Sequence, residues 1–199
     1  VGSPTIQFSQ FQKDILIGCL LGDGRLECRS KQGTARLRIH QGDKQKGLAF
    51  WKYQIFENIV TRKPRRIICD RRSKILYSWY FHTKTLDVLG NYHRLFYRNQ
   101  IKIVPKTIDQ LLSPQSLAAW FMDDGCNDRG TAILNTQSFS VNDQKCLLKV
   151  FCERFGIEGY LSKDRDKFRI QFTTASSKLF LHLVKDNVIP SMQYKVGHP

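Results

Sequence analysis

Two aspartates stand at matching places in a repeated phrase. The segment IGCLLGDG at 17–24 and the segment LAAWFMDDG at 117–125 are both apolar, small-residue runs that end in Asp-Gly. Superposing their ends sets Asp23 over Asp124, about half of the 199-residue chain apart. An internal repeat of this kind implies two similar halves about an approximate two-fold axis, with two copies of whatever the carboxylates do. Symmetric carboxylates are what cutting both strands of a duplex would ask for. One segment alone would carry little weight, since small residues at helical spacing are ordinary packing and Gly-Asp-Gly is a common turn. Two copies in corresponding halves are far more specific.

The carboxylates need elements to hold them. Over 9–21, Phe11, Ile15, Gly18, Cys19 and Gly22 recur at helical spacing with only Lys13 and Asp14 charged, which predicts a helix buried on more than one side. Gly18 and Gly22 lie one turn apart and leave a groove for a second helix. The second motif repeats the design, with Ala118 and Ala119 as the small positions and Ser113-Pro114 as the helix start, so each motif helix is the natural partner of the other. Strand-like stretches follow each motif at 34–40 and 131–137, and again later at 76–83 and 167–174. Helical segments are expected at 46–59 and 142–155, and amphipathic ones at 85–97 and 176–185. The fold class is therefore α+β. Two pseudo-symmetric αββαββα halves, 8–110 and 111–199, would each build a curved antiparallel sheet with one polar face.

Composition points to a polyanion. The chain has 32 Lys+Arg against 17 Asp+Glu, a formal charge of +15 and a pI near 9.8, which favours nucleic acid over an acidic membrane surface or a merely solvated basic face. No apolar run approaches the ~20 residues that span a bilayer, and no signal-peptide profile is seen. The six cysteines form no CxxC pair and no finger-like spacing with the histidines, which reads as a reducing compartment without structural zinc.

Alternation places the candidate contacts. Arg36, Arg38 and His40 share one parity of their strand, as do Ser78, Tyr80 and His82, and Lys167, Arg169, Gln171 and Thr173. Arg25, Lys163, Asn135 and Gln137 complete the candidate set. Arg and Lys match guanine acceptors, Asn and Gln match adenine, and a strand pair fits the major groove of double-stranded DNA. Any half-buried sheet has a polar face, but the excess of Arg and amide residues over Glu favours DNA here.

Taken with ILNTQSFS at 133–140 and IPSMQYK at 189–195, the two motifs resemble the LAGLIDADG homing endonucleases of the single-chain, two-motif type, over about residues 8–196. That resemblance implies motif helices packed at the pseudo-two-fold axis and saddle-shaped sheets in the major groove of a long, asymmetric DNA target. Both strands would be cut across the minor groove with Mg2+, leaving short 3′ overhangs. By motif position Asp23 and Asp124 are the catalytic metal ligands, with Gly22 and Asp123 beside them in the metal site and Asp123 in a structural role. The resemblance also implies a basic residue per site, Lys102 in Lys-x-x-Pro and Lys195 in Tyr-Lys, with Lys195 the safer assignment because Lys106 lies near Lys102. Mg2+ suits such a site, since it keeps several waters and needs only one or two carboxylates plus phosphate oxygens. A monomer without membrane or obligatory protein partner is expected, in an organelle by family habit.

Two other readings compete. A catalytically inactive relative, such as a maturase acting on intron RNA, would have no use for paired carboxylates that repel phosphate. An intein-borne domain would need an N-terminal nucleophile and a C-terminal His-Asn, whereas this chain starts at Val1 and ends His198-Pro199. A freestanding, intron-encoded endonuclease is the expectation.

Overall fold

The computed structural model describes residues 6–28, 33–71 and 74–197. Val1, His198 and Pro199, on which the intein argument turned, lie outside the described residues, as does the side chain of Cys69.

Helix α1, Gln10–Leu21, starts at Ser9, whose side chain accepts from the Gln12 amide while Gln12 returns the bond to the Ser9 backbone. Such a box satisfies two of the donors a helix start leaves open. The chain then forms strands β1, Arg25–Cys28, and β2, Ala35–Gly42, helix α2, Lys46–Ile55, and strands β3, Arg65–Arg71, and β4, Lys74–His82. Helix α3, Asp87–Phe96, leads into a short hairpin of β5, Tyr97–Arg98, and β6, Ile101–Lys102, and then helix α4, Ile108–Leu111. Helix α5, Pro114–Asp124, repeats the start of α1, with Ser113 and Ser116 forming the box and Pro114 in the first turn, where its missing N–H costs nothing. Strands β7, Gly125–Asp128, and β8, Thr131–Leu134, helix α6, Val141–Phe155, strands β9, Gly159–Asp164, and β10, Lys167–Phe172, and helix α7, Thr174–Val184, complete the second round. A 3₁₀ segment, Pro190–Lys195, follows.

The two sheets have the same order, β1-β2-β4-β3 and β7-β8-β10-β9, and every pairing in them is antiparallel. This is the α+β architecture the sequence predicts. The motif helices pack on each other as the small residues require. A Cβ at Gly18 would lie 2.4 Å from the Ser116 carbonyl oxygen and 2.5 Å from Ala119 Cβ, so only glycine lets the two backbones come this close. Ile15 through Leu21 and Leu117 through Met122 are all buried. A second centre of packing forms around Phe151, whose ring meets Phe172 at 4.9 Å and Phe180 at 6.1 Å.

Some boundaries differ from expectation. The strand expected over 131–137 stops at Leu134, because Thr136 turns inward: its hydroxyl accepts the Ile170 amide at 3.1 Å and its carbonyl accepts the Gln144 side chain at 2.9 Å. A side chain there replaces the backbone partner that would have continued the ladder. The strand expected over 167–174 stops at Phe172, since Thr173 accepts from the Ser176 amide and caps α7. The β5–β6 hairpin was not expected at all.

Candidate active site and nucleic-acid interface

Both motif helices end at one hollow. Gly22 closes α1 and leaves Asp23 exposed in the following turn, while Asp124 is the last residue of α5 and half-buried. Asp23 and Asp124 line the same cavity of about 530 Å3, together with Gly22, Arg25, Lys102, Asn135 and Gln137. Seven residues singled out from sequence thus meet in one place. Tyr97, Gln100 and Ser138 join them there. Tyr97 and Gln100 come from the β5–β6 hairpin, whose two-residue strands are too short to leave a periodic signal. Asn99 and Gln100 have φ of 47° and 65°, the left-handed pair of a tight hairpin turn that glycine would adopt more easily.

Asp123 points away from the cavity. Its carboxylate is buried, forms an ion pair with Lys52 of α2 and accepts the Gln41 side chain at 3.1 Å, while its other oxygen accepts the backbone N–H of Asp23 at 3.3 Å. Both of its oxygens are engaged in contacts within the protein, the arrangement expected of the structural role, and Asp123 is not among the residues that line the cavity with Asp23 and Asp124. A Cβ at Gly22 would fall 2.6 Å from Asp123 Cβ, so glycine at this place in the first motif makes room for the aspartate of the second. Burial alone would lower the Lys52 ammonium, but the Asp123 carboxylate outweighs it and holds Lys52 charged, above the ordinary lysine range. Cys19, buried beside them, is pushed up to about 12, mainly by desolvation, and remains a thiol.

Each lysine caps the end of its own motif helix. Lys102 donates to the carbonyls of Gly22 at 2.8 Å and Gly24 at 2.9 Å. Lys195 donates to those of Phe121, Met122 and Asp123, at 3.2, 2.6 and 3.2 Å. A cation is favoured at a helix C-terminus, where the last carbonyls lack partners. Lys102 borders the cavity, whereas Lys195 is buried behind it. Burial pulls both ammonium groups below the ordinary lysine range, and the nearby Asp23, Asp123 and Asp124 offset only part of that. Burial also pushes Asp124 up to about 7, reinforced by repulsion from Asp23 and Asp123 and opposed by the two lysines.

A half-buried carboxyl that resists ionisation suits a divalent cation, which would reverse the cost of charging Asp124. Among the described residues no group of three or more His, Cys, Asp or Glu forms a closed metal cage. The donor set of Asp23, Asp124 and a motif carbonyl fits a hard ion that keeps water and takes further oxygens from a bound phosphate.

The sheet faces carry the other candidates. In the first sheet, Arg36 and Arg38 both pair with Glu27 across β1 and β2, at 2.7 and 3.2 Å. His40 bonds to Ser78 at 2.6 Å and meets the Tyr80 ring edge-on at 6.2 Å; Tyr80 in turn meets His82 at 6.0 Å. Ser78, expected to face outward, is 6% exposed, yet it borders a second hollow beside Asp23. Arg62, Lys63 and Arg65 line a third hollow with Tyr80 and His82; Arg62 and Lys63 precede β3 and Arg65 is its first residue, so no alternation singles them out in the sequence. In the second sheet Lys167, Arg169 and Gln171 share a face with Ser162 and Tyr160, their partners on β9 being Asp164, Ser162 and Tyr160. Lys163 pairs with Phe168 and so stands on the opposite parity, with Leu161 and Ile170, apart from Lys167, Arg169 and Gln171. Thr173 lies past the end of β10, where its hydroxyl caps α7. Gln137 donates to Asp164 at 2.7 Å and reaches Asn135 only at 3.5 Å.

Comparison with known proteins bears on the fold and the family. The chain is 31% identical over 212 residues to the DNA endonuclease I-ChuI of Chlamydomonas applanata, covering 96% of this chain and 97% of that one. It is 29% identical over 194 residues to the cytochrome b mRNA maturase bI2 of Debaryomyces hansenii, covering 93% and 73%. The homing endonuclease I-WcaI, solved bound to its DNA recognition sequence, has the same fold, with a TM-score of 0.91, 23% identity and coverage of 98% and 89%. The model of the LAGLIDADG DNA endonuclease family matches residues 13–180, and the chain belongs to that family.

Proposed function

We propose that the chain is a site-specific, monomeric double-strand DNA endonuclease that uses Mg2+ and leaves 3′ overhangs. Its halves, 8–110 and 111–199, would each read one side of a long, asymmetric target through the faces of the two sheets. The observation that carries this reading is the shared cavity in which both motif-terminal carboxylates meet beside Arg25 and Lys102. Similarity to I-ChuI along nearly the whole of both chains supports it. An organellar, intron-encoded origin belongs to the same proposal.

Asp23 and Asp124 would hold the cation, with the Gly22 carbonyl beside them. When bound, Mg2+ stabilises charge on the phosphate and the leaving 3′ oxygen and lowers the pKa of water. Asp23, at the open side, faces approaching phosphate. Asp124, set deeper, fixes the floor. Lys102 steadies the turn carrying Asp23 through two carbonyls and adds positive charge beside the phosphate. Lys195 does the same for the end of α5 from behind, as a positioning group.

A second reading, maturase action on intron RNA, is favoured by the similarity to the bI2 maturase. One experiment separates them: incubation with a randomised duplex library in Mg2+, Ca2+ or EDTA, followed by sequencing of the ends. Cuts in Mg2+ alone, at one preferred site with short 3′ overhangs, establish the endonuclease. Retention of DNA without cuts overturns it in favour of the binder, and structured intron RNA becomes the substrate to test.

A further inference from the structure

Below the cavity, where the motif helices meet, lies a charged pair that solvent does not reach: the side chains of Lys52 and Asp123 are both fully buried. Taking two charges out of water costs more than their attraction returns unless further hydrogen bonds help, and apolar residues of similar size generally serve stability as well. Stability alone is thus a weak reason for this pair. Its geometry supplies another. Lys52 on α2 and Gln41 on β2 both hold one oxygen of Asp123, which leaves the other to accept the backbone N–H of Asp23. The contact crosses from the second motif helix to the turn at the end of the first. No equivalent runs the other way, because the position matching Asp123 is Gly22. Asp124 is tethered differently, through its carbonyl, which accepts the Asn135 amide at 3.0 Å.

We propose that Lys52 and Gln41 are positioning residues which act through Asp123 to fix Asp23, so that disturbing them slows the cutting of one DNA strand more than the other. The inference rests on the endonuclease reading. Its logic is geometric: a shift of about 1 Å in a group that must meet phosphate costs on the order of 10²-fold in rate, and only one of the two carboxylates depends on this cluster.

The test measures single-turnover cleavage of a duplex target with each strand labelled, alongside DNA affinity and thermal melting. Variants are Lys52→Met, Gln41→Leu and the double variant Lys52→Met with Asp123→Asn. Lys52→Met is expected to slow one strand tenfold or more beyond the other, to accumulate nicked duplex, and to leave DNA affinity within about threefold. The double variant is expected to recover most of the lost rate, since an Asn oxygen still accepts from Asp23 and no unpaired charge stays buried. Gln41→Leu, which keeps the ion pair, keeps the test open if Lys52→Met fails to fold. Equal slowing of both strands, loss in step with affinity or folded fraction, or no recovery in the double variant overturns the inference alone. Failure of the wild-type protein to cut any duplex overturns the endonuclease reading instead. Hydrogen exchange at 22–24 then still decides the positioning claim: faster exchange in Lys52→Met supports it, and unchanged exchange overturns it.

Discussion

Asp23 and Asp124 hold matching places in the two motifs, yet one is exposed and the other half-buried with its carboxyl pushed up to about 7. Both face the same cavity, so replacing either with Asn is expected to lower Mg2+-dependent cleavage by on the order of 10²-fold or more. DNA affinity should hold or improve, because a negative charge beside phosphate is removed; gel-shift titration and cleavage rates on the same duplex would show this. An Asp23→Asn protein that cuts normally would refute the assignment. Glu27 gives a separate test. Burial would raise its carboxyl, but the hydrogen bonds from Arg36 and Arg38 outweigh burial and hold it below the ordinary range. A carboxylate depressed in the folded state stabilises above its unfolded pKa, near 4.3, and loses that contribution as pH falls toward the folded value. Glu27→Gln should therefore lower stability by about 1 kcal/mol at pH 7, with the gap to wild type closing below about pH 4 in denaturant titrations at several pH values.

At the scale of elements, the helix contact is the most constrained. The Ser116 backbone stands 2.4 Å from any Cβ at Gly18, and backbone cannot swing aside as a side-chain tip can. Gly18→Ala is expected to destabilise by roughly 1–3 kcal/mol through overpacking; calorimetry would register this as a lower melting temperature. Much at this scale was legible beforehand, because each repeated motif carries its own cap, its small residues and its terminal acid within about a dozen positions. What stayed hidden depends on contacts between distant residues. Lys52 reads as an ordinary helix lysine until folding brings Asp123 to it. The face on which Lys163 stands is hidden for the same reason: the β9–β10 register decides which residues stand together, and one residue of slip inverts the face. Thr136 and Thr173 look like strand residues, and both instead bond backbone groups through their hydroxyls.

At the scale of the molecule, the formal charge of +15 makes DNA binding an exchange of phosphate for salt. If about ten phosphates are contacted, log K should fall against log[salt] with a slope near −9. Fluorescence anisotropy at several salt concentrations would measure it, and a flat line would contradict binding across the sheets. The likeness of the two halves in topology is not matched in charge at their seam. Lys52 belongs to the first half and Asp123 to the second, and the two are buried as a pair. A pair made from two first halves would leave two buried lysines with no acid between them, and a pair made from two second halves two buried acids with no base, so that each must lose its charge or draw in water. The seam therefore disfavours either symmetric pairing. In this chain the halves are alike in topology but complementary at the seam, one supplying the base and the other the acid.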